Sequence, residues 1–123
     1  MAHWRLQQGQ AAELLAANYL QARGLKILAR NLRCKGGELD LVCLDERVLA
    51  IVEVRQRETR EFGGPLASVT WSKRRKILRA AKYFLRQNSG WHDLALRFDV
   101  LAVEGLPGGT HRIEWVKDAF RGS

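Results

Sequence analysis

The sequence predicts an α/β fold, in which one helix covers each face of a mixed β-sheet. Two segments of the 123-residue chain repeat apolar residues at three- and four-residue spacing, which is typical of helices packed on one face. Five short runs rich in Val, Ile and Leu lie between and after them, as expected of buried strands. The order αβββαββ, in a chain long enough for one ordinary hydrophobic core, indicates a single α/β domain.

The first predicted helix covers residues 6–23 and leads into the edge of the sheet. Its inward stripe consists of Leu6, Gly9, Glu13, Ala16, Ala17 and Leu20. Gly24 then stands where glycine commonly ends a helix. The segment "LKILARNLR" follows as an edge-like strand, and Gly36 and Gly37 form the turn after it. Glu13 is therefore an acidic side chain on a stripe that faces the protein interior.

The remaining elements follow from strand runs, turn residues and a second helical stripe. The strands "ELDLVCL" and "VLAIVEVRQR" are separated by the short polar turn "DER", which suits an antiparallel hairpin. Residues 58–68, "ETREFGGPLAS", are predicted as a loop, and residues 68–87 as a helix. The apolar stripe of that helix consists of Ile77, Ala80, Ala81 and Phe84. A central strand "LALRFDVLAVEG", a turn "LPGGT" and a last strand "HRIEWV" complete the sheet.

The composition of the chain favours a polyanion as partner. Lys and Arg number 21 against 13 Asp and Glu, which gives a net charge of +8 and a pI near 10.2. The N-terminal residues lack the apolar core of a signal peptide, and no run is apolar enough to span a membrane. Cys34 and Cys43 have no CxxC spacing and no nearby His, so reduced thiols are expected. We therefore expect a cytoplasmic protein without a membrane segment.

Charged residues interrupt the apolar strand "AIVEVRQR" on one face. Glu53 and Arg55 are two residues apart and therefore project from the same side, and Glu38 and Asp40 do so on the preceding strand. A short hairpin brings Asp40 level with Glu53. Because two buried carboxylates repel each other and lose hydration, Arg55 or a divalent cation must offset the cost. Mg²⁺ or Mn²⁺ suits such oxygen ligands, with Glu13 as a further ligand through water; ion pairs on a solvated face are the alternative.

These residues carry a resemblance to a known family. An Asp followed after about a dozen residues by Glu-x-Lys is the PD-(D/E)xK nuclease signature, which Asp40 and the run Glu53, Val54 and Arg55 resemble. Together with "GQAAELLAANYLQARGLKILARN", "GELDLV", "IVEVRQR", "FGGP" with the later Lys73, and "RFDVLAVEG", the chain resembles the YraN-like family of uncharacterised bacterial proteins. That family is related in sequence to archaeal Holliday-junction resolvases.

The resemblance implies a restriction-endonuclease-like fold with a metal site for Mg²⁺ or Mn²⁺. Asp40 and Glu53 are then metal ligands, the backbone carbonyl of Val54 joins them, and Glu13 completes the acidic cluster, with Glu38 as a further candidate ligand. Arg55 stands where the signature has lysine. Because arginine does not lose a proton near neutral pH, it is expected to hold the scissile phosphate rather than act as a general base.

Basic residues around this strand and on the second helix are the candidates for nucleic-acid binding. Lys73 shares the inward stripe of the helix and is predicted to reach toward the acidic cluster or a bound phosphate. The other candidates are Arg57, Arg60, Arg74 and Lys76, with the loop at Gly63 and Gly64 flanking a backbone groove. Arg75, Arg79 and Lys82 fit equally well a solvated helix face. Trp71, at the helix start, is expected in the core, with stacking on a base or sugar as the alternative.

Two functions are therefore carried forward. The first is a metal-dependent endonuclease acting on DNA, including branched, Holliday-junction-like DNA. The second is a non-catalytic DNA- or RNA-binding module of the same fold. A metal-independent RNA endonuclease is a weaker third option, because it needs a well-placed His and His3, His92 and His111 are scattered. The resemblance also implies a homodimer, since two symmetric cuts need two active sites; the sequence itself shows no dimer interface.

Overall fold

A computed structural model describes residues 2–34, 36–57, 69–91 and 93–121, with only the backbone at residues 2–9, 57 and 107. The helices and strands, in chain order, are α1 (Ala2–Ala22), β1 (Lys26–Cys34), β2 (Gly37–Asp45), β3 (Val48–Arg57), α2 (Trp71–Gln87), β4 (Ala95–Gly105) and β5 (His111–Phe120). Short 3₁₀ turns at Ser89–Trp91 and Pro107–Gly109 precede the last two strands. The predicted order αβββαββ is confirmed.

The five strands form one mixed sheet in the spatial order β1-β2-β3-β4-β5. The pairs β1–β2, β2–β3 and β4–β5 are antiparallel, whereas β3 and β4 run parallel. A parallel pair requires a crossover connection, and α2 lies on that connection. The predicted hairpin between β2 and β3 and the position of β1 at the sheet edge are therefore confirmed.

Each helix covers one face of the sheet and buries a separate apolar cluster. On the α1 face, Ala16 and Leu20 pack with strand residues that include Leu41, Val52 and Leu101. On the α2 face, the cluster includes Leu49, Ile51, Phe98 and Val100. All four residues of the predicted α2 stripe, Ile77, Ala80, Ala81 and Phe84, are buried there. This arrangement confirms a mixed central sheet with one helix on each face.

The helix boundaries differ from the predicted ones for local reasons. α1 begins earlier than expected, at Ala2. α2 begins at Trp71, because the hydroxyl of Thr70 accepts the N–H of Lys73 at 3.3 Å and so caps the helix. The predicted loop 58–68 and the predicted helix start at Ser68 lie outside the described residues. The expectation that Trp71 belongs to the core is wrong, since its side chain is 76% exposed.

β5 extends to Phe120, four residues beyond the predicted strand "HRIEWV", and a buried carboxylate on β4 explains the extension. Asp99 is fully buried and accepts hydrogen bonds from Arg97 Nε at 2.9 Å and from Trp115 Nε1 at 3.1 Å. It also accepts the backbone N–H of Asp118 at 2.9 Å, where φ is 51°. The register of β4 and β5 shifts at this point. Asp99 thus holds an irregular strand end that no local sequence pattern indicates.

The turn between β1 and β2 lies against the backbone of α2. A Cβ atom at Gly37 would stand 2.8 Å from the carbonyl oxygen of Lys76, so a side chain cannot fit without displacing the helix. Gly36 has φ 95°, which favours glycine. The predicted turn glycines therefore also set the distance between α2 and the sheet.

The cysteines are free thiols, and burial raises the pKa of Cys43 to about 12. Among the described residues, no helix combines the length and apolar character that crossing a membrane would require.

Candidate functional site

The candidate site lies where β2 and β3 separate. The register of the two strands ends at the pair Leu41 and Val52, and the next residues along it are Asp40 and Glu53. Beyond this pair, the backbone N–H of Val54 donates to Asp40 Oδ2 at 2.9 Å. The side chain of Asp40 thus accepts a backbone N–H of β3 just beyond the last paired residues, Leu41 and Val52. The predicted meeting of Asp40 and Glu53 is present, and Val54 contributes its N–H to it.

The carboxyl groups of Asp40 and Glu53 lie within hydrogen-bonding reach of each other, which favours a proton on one of them. Burial, and then the negative charge of Asp40, raise the pKa of Glu53 from 4.5 to about 8. Burial raises the pKa of Asp40 as well, while the hydrogen bond from Val54 opposes the rise. A pKa of about 8 favours the protonated form of Glu53 at neutral pH, in which Glu53 can donate to Asp40.

One oxygen of this pair has unused bonding capacity. Glu53 Oε2 is buried and has no hydrogen-bond partner among the described residues. Leaving a buried polar atom unsatisfied costs about 1–3 kcal/mol. A cation at this oxygen would remove that cost and would also take the place of the shared proton. The pair therefore fits a divalent cation of the hard, oxygen-binding kind.

The predicted additional ligands do not complete a metal-binding group with the pair among the described residues. Within the described part of the chain, no group of three or more His, Cys, Asp or Glu side chains is arranged to hold a metal ion. Glu38 is exposed and lies opposite Arg33 on β1. A two-carboxylate site suits Mg²⁺, which usually keeps several waters and binds one or two carboxylates together with substrate phosphates. The described residues thus offer two carboxylates to a cation and do not form a closed, all-protein site.

Glu13 lies on α1, which covers the opposite face of the sheet from α2, within electrostatic reach of Asp40. It is half-buried on α1, and burial raises its pKa. A hydrogen bond with the Asn31 side chain opposes that rise, whereas the charges of Asp40 and Glu38 add to it. Asn31 has φ 51° on β1, a conformation that asparagine tolerates better than most residues. Glu13 is thus within electrostatic reach of Asp40, held by a residue that sequence reasoning did not single out.

Two cations of different exposure approach the carboxylate pair. Arg55 is half-buried on β3, and its charge lowers the pKa values of both Asp40 and Glu53 relative to burial alone. Lys73 is exposed on the first turn of α2. Partial desolvation, and then the charge of Arg55, lower the pKa of Lys73, while Glu53 and Asp40 act in the opposite direction. The structure therefore places the guanidinium of Arg55 and the solvent-exposed ammonium of Lys73 within electrostatic reach of the same carboxylate pair.

The other predicted phosphate-binding residues differ in their surroundings. Arg74 donates from Nε to the carbonyl of Val69 at 3.1 Å, and its guanidinium carbon lies 5.5 Å from the ring centre of Trp71 and 5.4 Å from that of Phe120. The Arg74 side chain is therefore held by contacts within the protein, and the ring of Trp71 lies beside its guanidinium group.

Lys76 is exposed and close enough to Lys73 to affect its pKa. The side chain of Arg57 and the whole of Arg60 lie outside the described residues.

Fold and site together define an α/β protein with a half-buried carboxylate pair just beyond the end of the β2–β3 pairing. The chain belongs to the uncharacterised protein family UPF0102, whose sequence profile matches residues 12–103. That match extends from α1 into β4 and includes the carboxylate pair, Arg55 and Lys73. The predicted resemblance to an uncharacterised YraN-like bacterial family is thereby confirmed.

Relatives in this family match nearly the whole chain. A UPF0102 protein of Pseudomonas putida is 47% identical over 112 residues, which are 91% of this chain and 90% of that protein. One of Pseudomonas fluorescens is 45% identical over 112 residues, or 91% of each chain. One of Pseudomonas syringae pv. syringae is 43% identical over 116 residues, or 94% of each. The described fold therefore corresponds to almost the full length of these proteins.

Proposed function

We propose that this protein is a divalent-metal-dependent endonuclease of the PD-(D/E)xK, restriction-endonuclease-like type that cleaves DNA. The observation that carries the proposal is the buried, unpartnered Oε2 of Glu53 beside Asp40. A proton-sharing carboxylate pair is an unusual feature at the centre of a chain with a net charge of +8. The pair lies just beyond the end of the β2–β3 pairing, and the substrate phosphate is proposed to bind next to it.

Asp40 and Glu53 are the residues that would hold the cation. The N–H of Val54 fixes Asp40 Oδ2, so the other oxygen of Asp40 is oriented by the backbone rather than by a flexible contact. The proton of Glu53 must leave before both carboxylates can bind a metal, which makes metal affinity rise with pH. Mg²⁺ or Mn²⁺ bound there would lower the pKa of a water and neutralise charge on the phosphate oxygens. Glu13 would assist through water.

Arg55 and Lys73 divide the role that lysine has in the signature. Arg55 offsets the charge of the carboxylates and offers a bidentate donor to the scissile phosphate. Lys73 is exposed and brings a mobile ammonium to the same phosphate from α2. Lys76, Arg74, Arg57 and Arg60 would then hold the flanking DNA backbone.

The substrate class that we propose is branched, Holliday-junction-like DNA in the cytoplasm, cut by a homodimer with two active sites. The test is cleavage of four-way, flap and duplex DNA in Mg²⁺ or Mn²⁺ by the wild-type chain and by Asp40→Ala. We expect cleavage that EDTA abolishes and that Asp40→Ala reduces at least about 100-fold, since even the outer partners of metal ligands are worth about 10- to 100-fold. Equal cleavage by Asp40→Ala, or none by the wild type, would refute the proposal.

The alternative is a non-catalytic DNA- or RNA-binding module of the same fold. Two observations favour it: Arg55 replaces the signature lysine, and the described residues supply two carboxylates rather than a larger ligand set. It predicts salt-dependent binding that survives EDTA, without cleavage of any substrate. The same assays therefore separate the two functions.

A further inference from the structure

The helix α2 has an electrostatic composition that its own stability does not explain. Its 17 residues contain no Asp or Glu and seven basic residues, Lys73, Arg74, Arg75, Lys76, Arg79, Lys82 and Arg86. Its first turn lacks an acidic residue, although the positive end of a helix dipole disfavours nearby cations by about 0.3–1 kcal/mol each. The helix thus has a local charge pattern that opposes its formation.

Four of these cations form one row along α2, on the helix face opposite its buried stripe, while the Arg79 side chain also lies against the β1–β2 turn at Gly36 and Lys82 lines a cavity beside β3 and β4. We call this row, Arg75, Arg79, Lys82 and Arg86, the outer stripe. Its spacing of four, three and four residues keeps all members on one helix face, opposite the buried Ile77, Ala80, Ala81 and Phe84. All four side chains are exposed, and within the described part of the chain none of them has an ion pair or a hydrogen bond.

The outer stripe carries repulsion that a solvated face normally avoids. Arg75 and Arg79, and again Lys82 and Arg86, are like charges four residues apart, a spacing that destabilises a helix by about 0.2–0.5 kcal/mol per pair. Solvated helix faces commonly mix both signs, which relieves such repulsion. Because no contact among the described residues offsets this repulsion between like charges, we expect an anion from outside the chain to offset it.

The dimensions of the stripe match a nucleic-acid strand. Its first and last members are eleven residues apart, which corresponds to about 16 Å along the helix axis at 1.5 Å per residue. One strand of a duplex rises by about 3.4 Å per phosphate while it winds around the axis, so a straight row of this length meets only some of the phosphates that it passes. Arg and Lys on this helix face can contact those phosphates without reading bases.

The stripe and the carboxylate pair lie on different sides of α2. Glu53 is two residues beyond Ile51 on β3 and shares its face of the sheet, which is the face that α2 covers. The outer stripe lies on the opposite face of α2 from the buried stripe. A strand lying along it is consequently a different part of the nucleic acid from the phosphate beside Glu53.

We propose that the outer stripe of α2 is a second phosphate-binding surface, which holds a nucleic-acid segment other than the one at Asp40 and Glu53. A substrate with arms in two directions, such as a junction or flap, presents such a second segment, whereas one short straight duplex does not. The inference rests on the proposed function in one respect, that the partner is a nucleic acid. It does not depend on whether the protein cleaves that nucleic acid.

The test measures binding without metal, so a failure of catalysis does not affect it. Fluorescence anisotropy in EDTA follows a labelled four-way junction over a range of salt concentrations, for the wild type and for Arg79→Gln/Lys82→Gln. Each phosphate contact contributes about 0.9 to the slope of log K against log salt, so the double variant is expected to lower the slope by about 1.8. At 0.1 M salt that corresponds to binding about 60-fold weaker. A short straight duplex should show a smaller loss.

The matched control is Lys26→Gln/Arg47→Gln, which removes the same charge from two exposed residues at the opposite end of β2 and β3. Equal slopes for the two double variants would mean that only net charge matters and would overturn the proposal. No change with Arg79→Gln/Lys82→Gln, or no binding by the wild type, would overturn it as well. Binding by the stripe without any cleavage would refute the nuclease and leave this inference standing.

A second variant guards against misfolding. Arg79→Glu places an opposite charge four residues from Arg75, so the helix should become as stable or more stable while binding weakens further. Stability and affinity must then change in opposite directions, measured by urea unfolding and by anisotropy. Parallel losses of both would assign the stripe a structural role and overturn the proposal.

Discussion

The shared proton of Asp40 and Glu53 makes the stability of the metal-free protein depend on pH. Burial and the charge of Asp40 raise the pKa of Glu53 from 4.5 to about 8, so the folded chain keeps a proton that the unfolded chain releases. The stabilisation is complete below pH 4.5 and is lost as the pH rises toward 8. The perturbation that tests this is Glu53→Gln, because an amide can still donate to Asp40 and does not titrate.

The magnitude follows from the size of the pKa change. A rise from 4.5 to about 8 at about 1.4 kcal/mol per pH unit gives an upper limit of about 5 kcal/mol. Glu53 is half-buried and interacts with the charge of Asp40, so solvent screening reduces this upper limit. We therefore expect the unfolding free energy of the wild type to fall by about 2–3 kcal/mol as the pH rises toward 8. Glu53→Gln should be more stable than the wild type at pH 8 by that amount.

The assay is urea unfolding followed by circular dichroism at pH 5, 6, 7 and 8 with EDTA present. Glu46→Gln is the control, since it changes an exposed carboxylate in the β2–β3 turn at the other end of β3. It should keep the wild-type profile. Parallel profiles for Glu53→Gln and the wild type would show that Glu53 is ionised in the folded protein, and the reasoning about the shared proton would be wrong.

Three further predictions concern the metal, the buried carboxylate and the helix–sheet contact. Binding of Mg²⁺ at pH 7 should release protons, so the heat measured by calorimetric titration should change with the ionisation enthalpy of the buffer. Asp40→Ala should abolish this binding heat. A binding heat that does not depend on the buffer would contradict the displacement of a proton by the metal. Asp99→Ala should destabilise the fold by about 3 kcal/mol or more in urea unfolding, because Trp115 Nε1 and the N–H of Asp118 lose their buried acceptor at about 1–3 kcal/mol each, whereas Arg97 keeps its ion pair with Asp45. Gly37→Ala should cost about 1–3 kcal/mol, with Gly90→Ala as the unhindered control, and equal stabilities would refute the close approach.

Local patterns in the sequence are sufficient to predict most of the fold. The strand predicted at "VLAIVEVRQR" has the observed bounds, and the apolar stripe of α2 is the buried one. These features depend on the two- and three-to-four-residue periods of strands and helices, which a chain carries in its order of residues. The two-residue period, together with the short β2–β3 turn, is also sufficient to predict that Asp40 and Glu53 meet on neighbouring strands.

Features that depend on contacts between distant segments escape such patterns. Asp99 has no special neighbour pattern, yet it holds the end of β5 through Trp115 and Asp118. The position of Trp71 at a helix start favours the core, although its side chain lies on the surface beside Arg74. Each outcome depends on which surfaces meet, and periodicity does not contain that information.

The order of residues alone establishes which side chains face one another across the β2–β3 hairpin and that the chain is strongly basic. The packing of the helices on the sheet is needed to establish that Glu53 carries a proton, that its Oε2 is buried without a partner among the described residues, and that Lys73 approaches the pair from another layer. This is because a pKa depends on desolvation and on charges that are nearby in space. For the same reason, the composition of α2 alone does not show that four of its seven basic residues lie on the face opposite the buried stripe.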